Sequence, residues 1–381
     1  MDLSYSDDQR LLKESVERVL ADGYDVARRA RYIEERGGYS AQLWQTYAEL
    51  GLLGVPFAES LGGLGGGAVE VMIVMEAFGR AMAVEPYLPS VVLAGGLLRR
   101  AASSSQQQRL LTPLIEGRLT LALATTEPTS GYELAHVTTR ARRTKDGWIL
   151  EGAKSVVLGG GSAATLIIPA RVSGADEDPA GIGLFLIESS AVGVGRRAYL
   201  TQDGHGAADL TLAGVHCGAE QLLGEAEGGY PVLLAAVEEG MAALCAEAVG
   251  AMDRLLSLTL EYLKTRKQFG QPLGQFQALQ HRAVDMFVAL EQARSMALYA
   301  TLMLSCEDAD ERHRAVLGAK AQVGAASRRL GQEAVQMHGA MGMTNEYACG
   351  PLFKRLTMID SSLGHARHVT RELAALGGLP G

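Results

Sequence analysis

The sequence is poor in the features that mark disulfide-rich and membrane-spanning proteins. Its 381 residues include four cysteines, Cys217, Cys245, Cys306 and Cys349. They lie too far apart for a zinc site and are too few for a disulfide framework, so we expect reduced packing residues. No apolar run approaches the roughly 18 residues that a membrane span needs. A globular protein without a membrane span is therefore predicted.

Positive charge is also in short supply. Lysine and arginine total 35 against 43 aspartate and glutamate residues, which gives a net charge of −8 without any basic tract. This balance argues against broad binding to nucleic acids or anionic membranes. Residues 1–9 contain no basic segment followed by an apolar one, so no secretory signal is visible and a cytoplasmic location is expected. Small-molecule chemistry is the function class that this composition favours.

The first third of the chain has helical periodicity. Apolar residues recur at steps of three and four, as in Leu12, Val16, Val19 and Leu20. A glycine-rich stretch at residues 62–67 interrupts the pattern. No strand precedes this stretch and its spacing is not GxGxxG, so it predicts a loop between helices rather than a phosphate site.

The pattern changes around residue 120 to short apolar bursts and to alternating apolar and polar residues, which is typical of strands. Asp146 and Gly147 lie between two such segments, and this dipeptide predicts a type I′ hairpin turn. Short strands, close turn signals and the absence of intervening helical patterns favour an antiparallel β domain over a doubly wound dinucleotide fold.

Helical spacing returns from about residue 230, and Pro272 with its neighbouring glycines predicts a connection between two long helices at 268–274. The sequence therefore predicts an α+β chain. It comprises an N-terminal helical domain at 1–118, a middle antiparallel β domain at 119–228 and a C-terminal four-helix bundle at 229–381.

Three motifs give the chain a family resemblance. Residues 262–286 read YLKTRKQFGQPLGQFQALQHRAVDM, residues 336–346 read QMHGAMGMTNE, and Thr126, Glu127 and Pro128 open the middle domain. These stretches resemble motifs of the acyl-CoA dehydrogenases, and the resemblance covers essentially the whole chain. It implies the three-domain fold of that family, which agrees with the order helical, β, helical.

The resemblance also implies a chemistry. Acyl-CoA dehydrogenases bind FAD, usually assemble as a dimer of dimers, and oxidise an acyl-CoA thioester to its trans-2-enoyl product. A glutamate removes the α-proton while the β-hydride passes to the flavin, so the base and the flavin must be held on opposite sides of the substrate. The electrons then pass to an electron-transfer flavoprotein or an equivalent acceptor.

Several residues match family positions that contact FAD. Arg266 matches an arginine that meets the FAD pyrophosphate, and Phe269 matches an aromatic residue that packs on the cofactor. The other matching positions are Thr126, Gln268, Gln277, Gln336, Gly339 and Ala340. In the family, the C-terminal motifs reach the FAD of a neighbouring subunit. Without a cofactor, these residues would be a cation at a helix end, a core aromatic residue and solvated glutamines.

The usual catalytic glutamate is missing. Its common position corresponds to Leu363, and its alternative position on an earlier helix corresponds to Gly240. Glu239 is adjacent to the second position, but neighbouring helical residues point about 100° apart, so Glu239 would need a change of register. Asp360, one helical turn before Leu363, is another candidate base; a solvated or salt-bridged residue is the plainer alternative for both carboxylates.

The segment that would meet the flavin ring also departs from the family. The family usually has a tryptophan on the ring and a threonine that hydrogen-bonds near N5, and these positions hold Val156 and Leu158 here. Tyr132 replaces a small serine near the entrance for the thioester chain.

These departures lead to three hypotheses. In the first, the chain resembles the base-lacking subunit of heteromeric acyl-CoA dehydrogenases that act on sterol side chains, and a homologous partner in a heterotetramer supplies the glutamate, the flavin-ring pocket and the thioester site. In the second, the chain forms a self-sufficient homotetramer that uses Glu239 or Asp360 as the base. In the third, it is a non-catalytic scaffold. An oxidase would share the same fold.

Three histidines could face a common ligand. His365 and His368 are three residues apart on an expected helix, and His338 belongs to the second motif. No carboxylate stands at a matching spacing, so the sequence predicts no metal site.

Overall fold

The computed structural model describes residues 4–344 and 346–379. Residues 1–3 of the amino-terminal segment, Asn345 of the second motif and residues 380–381 lie outside it. The chain divides into two compact units. One comprises Met1–Arg31, Ala68–Ala83 and Met241–Gly381, and the other comprises Tyr32–Gly67 and Val84–Gly240. Within the described ranges, no helix combines the length and the apolar character needed to cross a membrane.

The first third of the chain is helical, as predicted. Its α-helices are α1 (Asp7–Gly23), α2 (Val26–Glu34), α3 (Ala41–Glu49), α4 (Ala68–Ala81), α5 (Gly95–Ala101) and α6 (Ser104–Ile115). A π-helical segment, Leu88–Ala94, leads into α5. Ser6 and Gln9 form a capping box at the start of α1, in which each side chain bonds the other residue's backbone N–H at 3.0–3.1 Å. Ser103 and Gln106 cap α6 in the same way.

The glycine-rich stretch at 62–67 is a loop that leads into α4. Gly63 lies directly against the backbone, because a Cβ at this position would stand 2.1 Å from the carbonyl oxygen of Phe57. The loop therefore needs glycine for close backbone packing, which agrees with the prediction of a loop between helices.

The middle of the chain forms one sheet. Its strands are β1 (Leu121–Leu123), β2 (Arg140–Thr144), β3 (Gly147–Leu158), β4 (Thr165–Arg171), β5 (Ile182–Glu188), β6 (Val194–Leu200), β7 (Gly206–Gly218) and β8 (Leu222–Leu223). They pair in the order β6-β7-β3-β2-β4-β5-β8, with β1 also paired to β4. Trp148, Leu150, Phe185 and Val215 belong to the buried apolar core of this sheet.

The strand pairs of the middle domain are mostly antiparallel, as predicted, but two of them are parallel. β1 pairs with β4 in parallel, Leu121 opposite Thr165, and β2 meets β4 in parallel at Arg140 and Arg171. Parallel neighbours need a crossover, which β2 and β3 supply here. The predicted type I′ turn is wrong: Thr144 pairs with Gly147, so Lys145 and Asp146 form the turn, and neither has the positive φ that a type I′ turn requires.

The last third is helical, as predicted. It contains α7 (Gly229–Thr265), α8 (Gln277–Met303), α9 (Ala309–His338), α10 (Cys349–Ser361) and α11 (Ala366–Ala375). Asp308 caps α9 by accepting hydrogen bonds from the N–H groups of Asp310 and Glu311. The expected break between α7 and α8 is a small hairpin of β9 (Lys267–Gln268) and β10 (Gln271–Pro272).

Candidate functional site

The hairpin that follows α7 presents the first motif to solvent. The backbone N–H of Arg266 still bonds Tyr262 O at 2.8 Å, and the N–H of Leu273 returns to Arg266 O at 2.9 Å. Phe269 and Gly270 form the turn, both with positive φ. The Phe269 ring is 91% exposed, and its centroid lies 6.2 Å from that of Phe276. A large aromatic side chain is thus held outward at the tip of a short hairpin.

The second motif lies next to the first. The ring of His338, at the end of α9, stands 4.6 Å from the ring of Tyr262 in α7 and 5.2 Å from that of Tyr347. Burial lowers the pKa of His338, whose Nδ1 donates to Ala334 O at 2.8 Å. Gly339 follows with φ of 59°, where α9 ends. This ring stack joins the two motifs within one compact unit.

The residues assigned to FAD in these motifs share one property, which is that all of them are exposed to solvent. They are Arg266, Gln268, Phe269, Gln277, Gln336, Gly339 and Ala340. In the part of the chain that the structure describes, no carboxylate pairs with the Arg266 guanidinium. A free guanidinium and a free aromatic ring suit an anionic group and a planar group, so these residues fit the pyrophosphate and a ring of FAD.

The same unit carries an apolar stripe on α8. Val284, Phe287 and Val288 are about half exposed and, being spaced i, i+3 and i+4, they lie on one face of the helix. Exposed apolar side chains arranged in this way are typical of protein–protein interfaces.

Thr126 and the flavin-ring segment are neighbours in the other unit. The N–H of Ser155 donates to Thr126 O at 2.9 Å, which places β3 beside Thr126. Val156 is 46% exposed, with a φ of 49°, and its N–H donates to Asp209 at 3.1 Å. Leu158 is half-buried. These two aliphatic side chains offer neither an aromatic surface nor a hydrogen bond to a flavin ring, so this segment fits the ring poorly.

Glu127 next to Thr126 is structural in this fold. Its carboxylate accepts a hydrogen bond from Lys154 Nζ at 2.7 Å, and both side chains are fully buried. Burial raises the pKa of Glu127, but Lys154 and bonds from Thr138 and Thr139 outweigh it and bring the pKa to about 2. Burial lowers the pKa of Lys154, and Glu127 opposes that effect. The pair ties the motif to β3.

Glu239 forms salt bridges with two arginines. Arg100 binds its carboxylate through two nitrogens, at 2.6 and 2.9 Å, and Arg99 binds it at 2.6 Å. Gly96 makes room for this cluster, because a Cβ there would stand 2.6 Å from Glu239 Oε2. Both oxygens of the carboxylate therefore accept charge-assisted hydrogen bonds from guanidinium groups. Glu239 is thus a salt-bridged glutamate in this structure, and its role as a base stays a prediction.

Asp360 is also engaged in a salt bridge and in a backbone hydrogen bond. It is buried, accepts from Arg328 Nη2 at 2.5 Å and from the N–H of Ala366 at 3.1 Å, and thereby caps the start of α11. The buried Lys320 donates to the carbonyl oxygens of Ile359, Asp360 and Gly364 at 2.7–3.1 Å. Both side chains act on the turn that connects α10 to α11.

That turn contains Leu363, whose φ is 55°. Among the described residues, the other non-glycine positions with positive φ are Met82, Val156 and Phe269. Three of these four positions were singled out from the sequence. Positive φ is costly for large or branched residues and is concentrated at functional sites. Sequence reasoning could not see this signal, because backbone dihedrals are set by tertiary packing.

The histidines do not form a cluster of ligands. His365 is the N-cap of α11, where its Nδ1 accepts from the N–H of His368 at 3.0 Å, so it stands outside the helix. Glu372 accepts from His313 Nε2 at 3.2 Å. Within residues 4–344 and 346–379, no group of three or more His, Cys, Asp or Glu side chains is arranged to hold a metal ion.

Known protein families match nearly all of the chain. Residues 6–118 match the N-terminal domain of acyl-CoA dehydrogenase, residues 122–215 its middle domain and residues 227–372 its C-terminal domain. A probable acyl-CoA dehydrogenase of Bacillus subtilis, YngJ, is 27% identical over 370 residues, which are 96% of either chain.

Two solved structures are similar in fold and sequence. The ChsE4-ChsE5 complex of Mycobacterium tuberculosis superposes with a TM-score of 0.90, 26% identity and complete coverage of both chains. The FAD complex of PigA superposes with a TM-score of 0.91 at 25% identity over 99% of both chains.

Proposed function

The chain belongs to the acyl-CoA dehydrogenase family of oxidoreductases, and we propose that it works as a subunit that lends FAD contacts to a homologous catalytic partner. The observation that carries this proposal is the outward hairpin, where the side chains of Arg266 and Phe269 are exposed and Arg266 has no carboxylate partner among the described residues. Such a feature contributes to a cofactor only if that cofactor lies beyond the unit's own surface.

The residues at and near the two family positions of the catalytic glutamate support the proposal that a partner supplies the base. Leu363 and Gly240 cannot take a proton, Glu239 is bound by two arginines and Asp360 caps a helix. The reaction of the family needs a carboxylate within hydrogen-bond reach of the substrate α-carbon. We therefore assign the catalytic glutamate to the partner chain.

In this proposal, the chain's own residues bind and orient the FAD. The Arg266 guanidinium would pair with the pyrophosphate, the Phe269 ring would pack on the cofactor, and Gln336 with Gly339 would border the adenosine half. When bound, FAD supplies the oxidant for α,β-dehydrogenation of the acyl-CoA thioester. The remaining proposed contacts are Thr126, Gln268, Gln277 and Ala340. An electron-transfer flavoprotein or an equivalent acceptor would then take up the electrons.

The likeness to the ChsE4-ChsE5 complex agrees with a heteromeric assembly, since that structure contains two different chains by its name. The stripe formed by Val284, Phe287 and Val288 offers an apolar surface for such an assembly. A heterotetramer with one homologous partner is the arrangement that we propose.

The first test is the visible absorbance spectrum and the molar mass of the protein made alone and made together with a homologous chain. The proposal expects a lone chain without flavin bands and a mixed tetramer with about half an FAD per subunit. A lone chain that holds a full complement of FAD and is bleached by an acyl-CoA contradicts it. That result would favour the self-sufficient homotetramer.

The scaffold hypothesis differs in what the assembly does with FAD. A scaffold has no use for an unpaired guanidinium next to an outward aromatic ring, so the exposure of Arg266 counts against it. If replacing Arg266 by alanine leaves FAD affinity of the mixed assembly unchanged, the scaffold becomes the better description.

A further inference from the structure

A cleft of about 680 Å³ opens between α1, α4 and α7, with one residue from α8. All of its lining residues belong to the compact unit that contains the C-terminal helices. Its volume lies within the range of roughly 300–1,000 Å³ that small-molecule sites occupy. None of the residues assigned to FAD lines the cleft, so it is a separate feature.

The floor of the cleft is apolar. Leu20 of α1, Tyr24 at the end of that helix, and Ile73 and Ala77 of α4 are buried, and Gly250 of α7 contributes no side chain. Such a floor favours the apolar body of a ligand, because burying apolar surface there removes it from water.

The walls are charged and preformed. Glu76 of α4 accepts from Arg294 of α8 at 2.6 Å, and Arg294 also reaches Asp253 of α7 at 3.6 Å. Asp253 pairs in turn with Arg80 of α4. This alternating chain of charges connects three helices and neutralises its own members, so none of these four residues needs a ligand.

One cation is left over. Arg254 is exposed at the rim, and in the described part of the chain it has no carboxylate partner. Lys13, the remaining cation, lies 3.9 Å from Glu17 of the same helix. Arg294 has a further carboxylate partner in Glu291 of α8, at 3.6 Å. Arg254 is therefore the cation of the cleft that has no carboxylate partner among the described residues.

Tyr5 adds a neutral donor. Burial raises the pKa of its phenol and Glu76 raises it further, which keeps the hydroxyl protonated. Lys13 Nζ stands 5.8 Å from the centre of the Tyr5 ring, so Tyr5 lies along the same wall as the Lys13 side chain.

We infer that this cleft binds a small amphipathic carboxylate, whose apolar body lies on Leu20, Ile73 and Ala77 and whose carboxylate pairs with Arg254. A guanidinium matches a carboxylate with two parallel hydrogen bonds. A single unpaired guanidinium matches a monoanion better than a phosphate dianion, and it would repel a cationic head group. The inference is independent of the FAD proposal, since it uses different residues.

The test is a calorimetric titration of the assembled protein with decanoate. We expect saturable binding at one site per chain, and binding at least tenfold weaker for Arg254→Gln. Arg109→Gln, an exposed arginine on α6 far from the cleft in sequence, is the control and should change affinity less than twofold. FAD absorbance, read in the same samples, should be equal for all three proteins.

A filling variant locates the site. Ala21 is an exposed residue of α1 that lines the cleft, and Ala21→Trp would occupy its volume without altering any charge. We expect loss of decanoate binding. The inference is overturned if wild type shows no saturable binding, if both variants bind as wild type does, or if decan-1-ol, which lacks the charge, binds as tightly. A wild-type mixed assembly that holds no FAD but binds decanoate would overturn the function proposed above and leave this inference standing.

Discussion

Gly79 of α4 lies against the carbonyl oxygen of Glu247 in α7, where a Cβ on Gly79 would be only 1.9 Å away. The contact is reciprocal: a Cβ on Gly250 would stand 1.8 Å from the carbonyl oxygen of Glu76. Two glycines thus allow the backbones of the two helices to touch. Glu247 also receives two hydrogen bonds of 2.6 Å from the buried Arg355 of α10, which fixes the same stretch of α7 from another side.

We predict that Gly79→Ala and Gly250→Ala each destabilise the protein by about 3 kcal/mol or more, because the helices must separate to admit a methyl group. Chemical denaturation followed by circular dichroism measures this loss. Gly318→Ala on α9 is the control, since its methyl group would meet only the end of the Leu379 side chain. Equal stabilities for Gly79→Ala and the control would show that the helices move apart freely.

Removing one member of the buried pair of Glu127 and Lys154 should be worse than removing both. Glu127→Gln leaves a buried ammonium without its anion, which costs about 3–5 kcal/mol. The double variant Glu127→Gln/Lys154→Met should recover most of that loss. Denaturant midpoints of the two single variants and the double variant check this, and additive losses would contradict it.

The same pair predicts an acid sensitivity. The pKa of Glu127 is lowered from 4.5 to about 2 in the folded protein, so its ionised form stabilises the fold at pH values above its unfolded pKa. This contribution is lost as the pH falls from about 5 towards 2. The double variant should lose less stability over that interval than wild type, as measured by urea midpoints at pH 7, 4 and 2.5.

Substitutions in the hairpin should affect FAD but not folding. Phe269→Ala and Arg266→Gln alter exposed side chains, so the melting temperature of the chain made alone should stay within about 2 °C of wild type. The affinity of the mixed assembly for FAD should fall at least tenfold, because packing and a charge-assisted contact are lost. Lys267→Gln, on the neighbouring exposed residue, is the matched control for a lost charge.

The left-handed backbone conformation of Leu363 is strained, because its φ is 55° and its side chain is large. Leu363→Ala and Leu363→Gly both remove the side chain, but only glycine relieves the strain at a φ of 55°. We expect the glycine variant to be about 1 kcal/mol more stable than the alanine variant. The reverse order in thermal denaturation would mean that the turn adopts another conformation in solution.

Neither carboxylate near the expected base positions should act as the base. We predict that Glu239→Gln leaves turnover of the mixed assembly, measured with an artificial electron acceptor, within threefold of wild type. Asp360→Asn should lower stability through the cap of α11 rather than turnover per folded molecule. A loss of turnover of a hundredfold in either variant, with FAD retained, would identify a base in this chain.

The periodicity of the sequence predicted the order helical, β, helical, and the motifs predicted the family. The sequence pattern could not predict contacts between residues that are far apart in the chain. Glu239 is paired with Arg99 and Arg100, which are about 140 residues earlier, and no local pattern announces that contact. β6 has no local signal either, because Arg196 and Arg197 are exposed on a strand at the sheet edge and no apolar alternation marks it.

The hairpin at 267–272 was predicted only as a connection, since two-residue strands leave no periodic trace. The sequence therefore identified the motif residues, but it did not predict that the Phe269 side chain points into solvent. The direction of a side chain depends on the backbone turn at Phe269 and Gly270, which is set by the helices on either side.

The exposed ring of Phe269 and the apolar stripe on α8 also bear on how the newly made chain survives before it assembles. An uncovered apolar surface is as attractive to other unassembled copies as to the correct partner. The time that the free chain spends unassembled and open to self-association, more than the stability of its fold, would then limit the yield of assembled protein. Synthesis at the same time and place as the chain that covers this surface shortens that wait.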